Sequence, residues 1–209
     1  MLPRDLFDLK SAFLKELGVP ENFNARARVL VIVGSNASGK SFLRRYVTAT
    51  LHEKKIEVIA LSHELRTKGS MMAALVYGDE AWQSTGAITA QTFISGVRTV
   101  RGRTAPCVAI WDEPEIGMGE ELQTGCADWL FSQFRDWPPQ LQGIIVMTHS
   151  RIWARRAMDF PKARFLSLDG HRKVEGWLGR EVKPVDPEDL SKMAVEKFRR
   201  LNKLLGKRD

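Results

Sequence analysis

Eight consecutive residues, Gly34-Ser35-Asn36-Ala37-Ser38-Gly39-Lys40-Ser41, fit the pattern G-x-x-x-x-G-K-[ST] in full. Glycines let a backbone curl until successive N–H groups point at one centre, which suits a row of phosphate oxygens. A helix starting at Ser41 would turn its positive dipole end toward the same charge. Lys40 is then expected to reach the β- and γ-phosphates of a bound nucleotide such as ATP, and the Ser41 hydroxyl to ligate Mg²⁺. Ser35, Asn36, Ala37 and Ser38 would supply the loop amides between the two glycines.

Further along, Val108-Ala109-Ile110-Trp111-Asp112-Glu113-Pro114 is an apolar run ending in two acids. Such a run reads as a buried strand, and ligands of open α/β sheets bind at the carboxyl ends of strands. Asp112 is expected to hold Mg²⁺ through a water, and Glu113 to polarise an attacking water. A third run, Ile145-Val146-Met147-Thr148-His149-Ser150, ends in a histidine. If it forms the next strand, His149 can sit at the same edge and touch the γ-phosphate.

These residues need a scaffold, and apolar runs alternating with amphipathic stretches supply one. Arg28–Val33, Ile56–Leu61, Cys107–Trp111 and Gly143–Thr148 read as strands. After Arg28 the first is apolar at every position, as in a parallel sheet covered on both faces. Helices are expected over residues 3–17, 41–53, 87–101, 120–134 and 151–158, with a helical patch near 71–77. Phe165–Leu168, the turn Asp169-Gly170 and Val174–Trp177 suggest a terminal hairpin. In the last segment Asp186 is the expected N-cap, Pro187 takes the first helical position and Gly206 ends the helix. The alternation implies a single α/β domain over 1–209, with an N-terminal helix within 1–20, a core over 28–178 and a basic amphipathic helix over 186–206.

Composition narrows the class. The chain has 209 residues, 44% hydrophobic and 27% charged, enough for one domain with a substantial core. No apolar stretch approaches the roughly 18 residues of a membrane helix, and the polar start suggests no signal peptide, so a cytoplasmic protein without membrane insertion is expected. Cys107 and Cys126 have no metal-like spacing and read as buried thiols. The net charge is +7, and residues 192–209 hold seven basic and two acidic side chains. That concentration favours an anionic partner, and the C-terminal helix is a candidate contact for nucleic acid.

Taken together, the Gly34–Ser41 loop, Asp112-Glu113-Pro114 after one strand and Thr148-His149-Ser150 after the next resemble the ABC ATPase superfamily over roughly residues 28–178. The resemblance implies a P-loop NTPase fold with a largely parallel central sheet, ATP and Mg²⁺ as cofactors, and a homodimer that ATP closes and hydrolysis opens. It also implies a signature motif that reaches the γ-phosphate of the partner copy. Ser84-Thr85-Gly86 is the preferred candidate, with Ser84 and Gly86 as contacts, because a helix follows directly; Ser95-Gly96 is the competitor. The interval between Lys40 and Ser84 is too short for coiled-coil arms and leaves little room for a helical subdomain of the transporter type. Glu115 after Pro114 is more similar to ATPases of recombination, repair and defence. The expectation is therefore an ATP-hydrolysing switch that serves a nucleic-acid-linked process, with an unidentified protein partner also open. The alternatives are a transporter's nucleotide-binding subunit and a small kinase, whose lid Arg151, Arg155 and Arg156 could mimic. Phe23 is a candidate for stacking on adenine, though core packing accounts for it equally well.

Overall fold

The computed structural model describes residues 1–8, 10–62 and 85–204. The candidate signature residue Ser84, the expected helical patch near 71–77, and residues 205–209, with the expected helix end at Gly206, lie outside the described residues. Five strands, β1 (Val29–Val33), β2 (Glu57–Ser62), β3 (Cys107–Asp112), β4 (Leu141–Thr148) and β5 (Ala163–Ser167), form one sheet in the order β2-β3-β4-β1-β5. Every pairing is parallel. The described helices are α1 (Ala12–Glu16), α2 (Lys40–Glu53), α3 (Thr85–Arg101), α4 (Glu120–Gln133), α5 (Arg151–Met158), α6 (Val174–Leu178) and α7 (Pro187–Leu204).

The central strands are apolar throughout because both faces are covered. On one face Val29, Val31, Val33, Ala109, Trp111, Ile144 and Val146 pack with Phe93 of α3, Leu130 of α4, Trp153 of α5 and Trp177 of α6. On the other, Leu30, Ile32, Val108, Ile110, Ile145 and Met147 pack with Leu14 of α1, Leu43 and Val47 of α2 and Leu201 of α7. Alternate side chains of each strand point to opposite layers, so the sheet is the middle of an α/β/α sandwich. Cys107 and Cys126 are free thiols in the first layer, and burial pushes both pKa values up.

Two expectations are corrected. The helix expected over 3–17 shrinks to Ala12–Glu16. Leu6 is buried as the periodicity requires, and Leu2 and Phe7 are buried beside it, but through turns. The Leu2 amide bonds to the Ala27 carbonyl, and an Asp8 carboxylate oxygen accepts from the Lys10 amide, interrupting the helix. The terminal hairpin does not form either. Phe165 and Leu166 belong to β5, which pairs parallel with β1, and Val174–Leu178 is the short helix α6. The β1 edge offers a backbone ladder plus two apolar faces, and a helix at 174–178 lets Trp177 bury fully beside α5.

Candidate functional site

Register brings the chemistry together. β1 aligns Val33 with Thr148 of β4 and with Ser167 of β5, while β3 aligns Asp112 with Met147. The residues just beyond these ends, Gly34, Glu113, His149 and Asp169, therefore gather at one sheet edge. Because β4 lies between β1 and β3, His149 is placed between the loop and the acidic pair.

The loop from Gly34 to Gly39 leads into α2, and Gly39 caps that helix at φ +100°. A side chain there would be strained, and its Cβ would sit 2.4 Å from Leu17 Cδ2. At Gly34 a Cβ would lie 2.4 Å from Ser38 Oγ and 2.9 Å from Ser38 Cβ. Both positions require glycine, as the motif anticipates.

Lys40 is only 5% exposed. Its Nζ donates to the carbonyls of Gly34 at 3.0 Å and Ser35 at 3.2 Å, and lies 3.1 Å from His149 Nδ1. His149 Nε2 is 2.7 Å from Glu113 Oε1, and Lys40 Nζ stands 4.0 Å from that oxygen. His149 Nδ1 faces both a donor and an acceptor, Lys40 Nζ at 3.1 Å and the Gly34 carbonyl oxygen at 3.0 Å, while Nε2–H donates to the Glu113 carboxylate. Burial lowers the Lys40 pKa, opposed by the negative charges of Glu113, Asp112, Glu115 and Asp169. Glu113 itself has φ +52°, an uncommon conformation for a non-glycine residue that costs about 1–3 kcal/mol. It is held there by its amide, which bonds to the Met147 carbonyl at 2.8 Å.

Several side chains that the motifs did not single out position this group. Glu115 Oε1 accepts from the His149 amide at 2.7 Å and Oε2 from Thr148 Oγ1 at 2.8 Å, clamping the end of β4. Ser150 caps α5 and donates to Gln123 Oε1 at 2.6 Å. Asp169 accepts from the Ser35 amide at 2.9 Å and from Ser35 Oγ at 2.9 Å, fixing the loop from the β5 side. Arg44, one turn into α2, places Nε 2.9 Å from Asp112 Oδ2, with both side chains largely buried. The Glu115 clamp had a trace in sequence, an acid just past Pro114. The Arg44 and Asp169 contacts join residues far apart in the chain and left none.

Ser41, Asp112 and Glu113 offer oxygen donors, which suits a hard cation such as Mg²⁺. Among the described residues no group of three or more His, Cys, Asp or Glu could hold an ion by itself. A Mg²⁺ here would take most of its ligands from phosphate and water, and Arg44 already shares the Asp112 carboxylate.

A cavity of about 280 Å³ opens above the loop, lined by Asn36–Phe42, Glu113 and His149 and, on the far side, by Ala194, Lys197 and Phe198 of α7. Gly86 is not among the lining residues. A Cβ there would lie 3.0 Å from Leu122 Cδ2, and nearby Thr89 Oγ1 donates to the Ile116 carbonyl, so the start of α3 rests on the loop after β3. Ser95 lies mid-helix, and a Cβ on Gly96 would meet Leu61 Cδ1 at 2.2 Å, a packing role for that pair. Phe23 rests against Phe7, with ring centroids 5.8 Å apart, in the second core layer. Arg151, Arg155 and Arg156 line a separate cavity with Thr124, Ile152 and Leu178.

No protein-family model matches the chain, and no curated protein matches it. Among solved structures, a HORMA:CdnC:Trip13 complex from E. coli MS115-1 matches with a TM-score of 0.41 and 14% identity. That match covers 81% of this chain and 58% of the other. Nothing about the chemistry of this chain rests on a likeness of that degree. Among the described residues no helix is long and apolar enough to cross a membrane.

Proposed function

We propose that this chain is a Mg²⁺-dependent ATPase of the ABC type, a switch that binds ATP at the Gly34–Ser41 loop and hydrolyses it with Glu113 and His149. The observation that carries the reading is the hydrogen-bonded row Lys40–His149–Glu113, spanning the ends of β1, β4 and β3. An arriving phosphate offers the Lys40 ammonium a full negative charge in place of two carbonyls, a roughly twofold stronger class of hydrogen bond. Lys40 then leaves His149 Nδ1, and that nitrogen, once it takes up a proton, donates to the terminal phosphate while Nε2–H stays on Glu113. Glu113, oriented by His149 Nε2–H, accepts a proton from the attacking water. Mg²⁺, held by Ser41 and Asp112, would neutralise charge on the phosphate oxygens. ATP titration and a hydrolysis assay test this. Lys40→Ala should abolish nucleotide binding, and unchanged affinity would overturn the phosphate-loop reading.

The ATP-closed homodimer belongs to the same proposal. Its support is the position of Gly86, which rests on the loop after β3 and lines no part of the cavity above Lys40. Light scattering of Glu113→Gln with and without ATP tests it; equal mass in both states counts against the dimer. Nucleic acid is the anionic partner we favour, supported by the exposed Lys192, Arg199 and Lys203 of α7. Those three together with Lys207, which lies outside the described residues, make about four phosphate contacts and would give a log–log salt slope near −3 to −4 on duplex DNA. The kinase alternative is weaker because its three arginines line a different cavity from the loop, and Arg156 is paired with Asp128.

A further inference from the structure

α7 does more than dock beside the core. Leu201 is its one fully buried side chain, Phe198 packs on Phe42 with ring centroids 5.7 Å apart, and Arg200 reaches Glu16 at 3.9 Å. Lys197 lies one turn before Leu201 on the same face, so this docking carries it inward. A Cβ on Gly39 would be 3.4 Å from Lys197 Cε and 3.8 Å from its Nζ. The ammonium thus stands over the backbone of the phosphate loop, in the cavity that Glu113 and His149 also line.

Among the described residues Lys197 makes no hydrogen bond and no ion pair. Its nearest acidic influences are Glu16 and Asp169, and Asp169 is already committed to Ser35. Burial lowers the Lys197 pKa, opposed by the negative charges of Glu16 and Asp169. Arg200, on the same helix, is both paired and more exposed. An unpaired cation held over the backbone of the phosphate loop adds a positive partner for a bound anion. The cavity, about 280 Å³, is at the small end of ligand pockets and suits phosphate groups, with the nucleoside on its open side.

We propose that Lys197 is a second phosphate-binding lysine of the nucleotide site, supplied by the C-terminal helix and reaching the bound polyphosphate over Gly39. The inference rests on the phosphate-loop reading. Nucleotide then bridges α7 to the core, so that occupancy of the loop fixes the helix that carries the exposed basic residues.

Calorimetric titration with ATP and with inorganic pyrophosphate tests this on five full-length forms: wild type, Lys40→Ala, Lys197→Gln, Lys197→Arg and Arg199→Gln. Lys197→Gln should weaken both ligands by about 10-fold or more, the size of one lost charge-assisted hydrogen bond. Lys197→Arg should recover most of that loss, and Arg199→Gln, which removes an exposed charge from the same helix, should stay within about twofold of wild type. ATP should also protect α7 from trypsin in wild type and not in Lys197→Gln. If Lys197→Gln binds as wild type does while Lys40→Ala does not, the inference is wrong and the phosphate loop stands. Equal weakening by Lys197→Gln and Arg199→Gln would reduce the effect to general charge and also overturn it. If wild type binds neither ligand, both readings fall together.

Discussion

The wall of the cavity built from strand ends differs from the wall built by α7 in how many constraints hold each side chain. On the sheet side, Glu113 is fixed by a ladder hydrogen bond and by His149, His149 by the Glu115 clamp, and Lys40 by two carbonyls of its own loop. On the α7 side, among the described residues, one buried leucine, the Phe198–Phe42 contact and the Arg200–Glu16 ion pair hold a helix whose Met193, Val195, Phe198 and Leu204 remain exposed. Groups that must align to within fractions of an ångström sit on the overdetermined wall. The wall with few constraints is the one whose position a bound ligand can change, since few contacts need to be broken.

Replacing Glu113 should have the largest effect on this contrast. Glu113→Gln should keep ATP binding and lower turnover by about 10²–10⁴-fold, since an amide accepts no proton from water. Single-turnover hydrolysis at wild-type rate would remove Glu113 from the chemistry. Next in size is Glu115→Ala, which frees the end of β4 without touching the reacting groups. We expect kcat to fall about 10- to 100-fold with the ATP Kd nearly unchanged. A variant with normal kcat would mean that β4 needs no clamp and that the sheet wall is less constrained than its hydrogen bonds imply.

Leu201→Ala probes the other wall. Losing this anchor should cost about 2–5 kcal/mol, expressed as local release of α7. Trypsin should then cut within residues 192–203 well before the sheet unfolds by circular dichroism. Simultaneous loss of both would show that α7 is as integral as the strands. The smallest effect is a pH dependence. Burial holds the Lys40 pKa below 10.5, so between its folded value and 10.5 the unfolded chain binds more protons. The Lys40 contribution to stability therefore improves as pH rises through that window and is unfavourable below it. Denaturant titrations from neutral pH to about 10.5 should show wild type gaining on Lys40→Met. A constant difference would mean that the loop carbonyls and neighbouring carboxylates fully offset the burial.

Most elements were legible because their signals are local. The strand ends at 33 and 148, the end of β3 to within one residue, and the start of α7 at Asp186, whose Oδ1 accepts from the Glu188 amide at 2.8 Å, follow from apolar runs, caps and prolines. The N-terminal helix and the terminal hairpin were misread because burial of Leu2, Leu6 and Trp177 is met equally well by turns and by a short helix. Local pattern specifies that a residue is buried; the partner surface decides by which backbone route.

The sequence by itself determined the loop at Gly34–Ser41, the acids at 112 and 113, and the histidine at 149, because each depends on residue types within a few positions of one another. Only the tertiary structure decided that β4 lies between β1 and β3, which places His149 in contact with both Lys40 and Glu113. It alone set Arg44 on Asp112 and Asp169 on Ser35, and carried Lys197 from the far end of the chain to the loop at Gly39. Strand order and helix docking are fixed by the sum of many buried contacts between distant segments, and no short window of residues contains that sum.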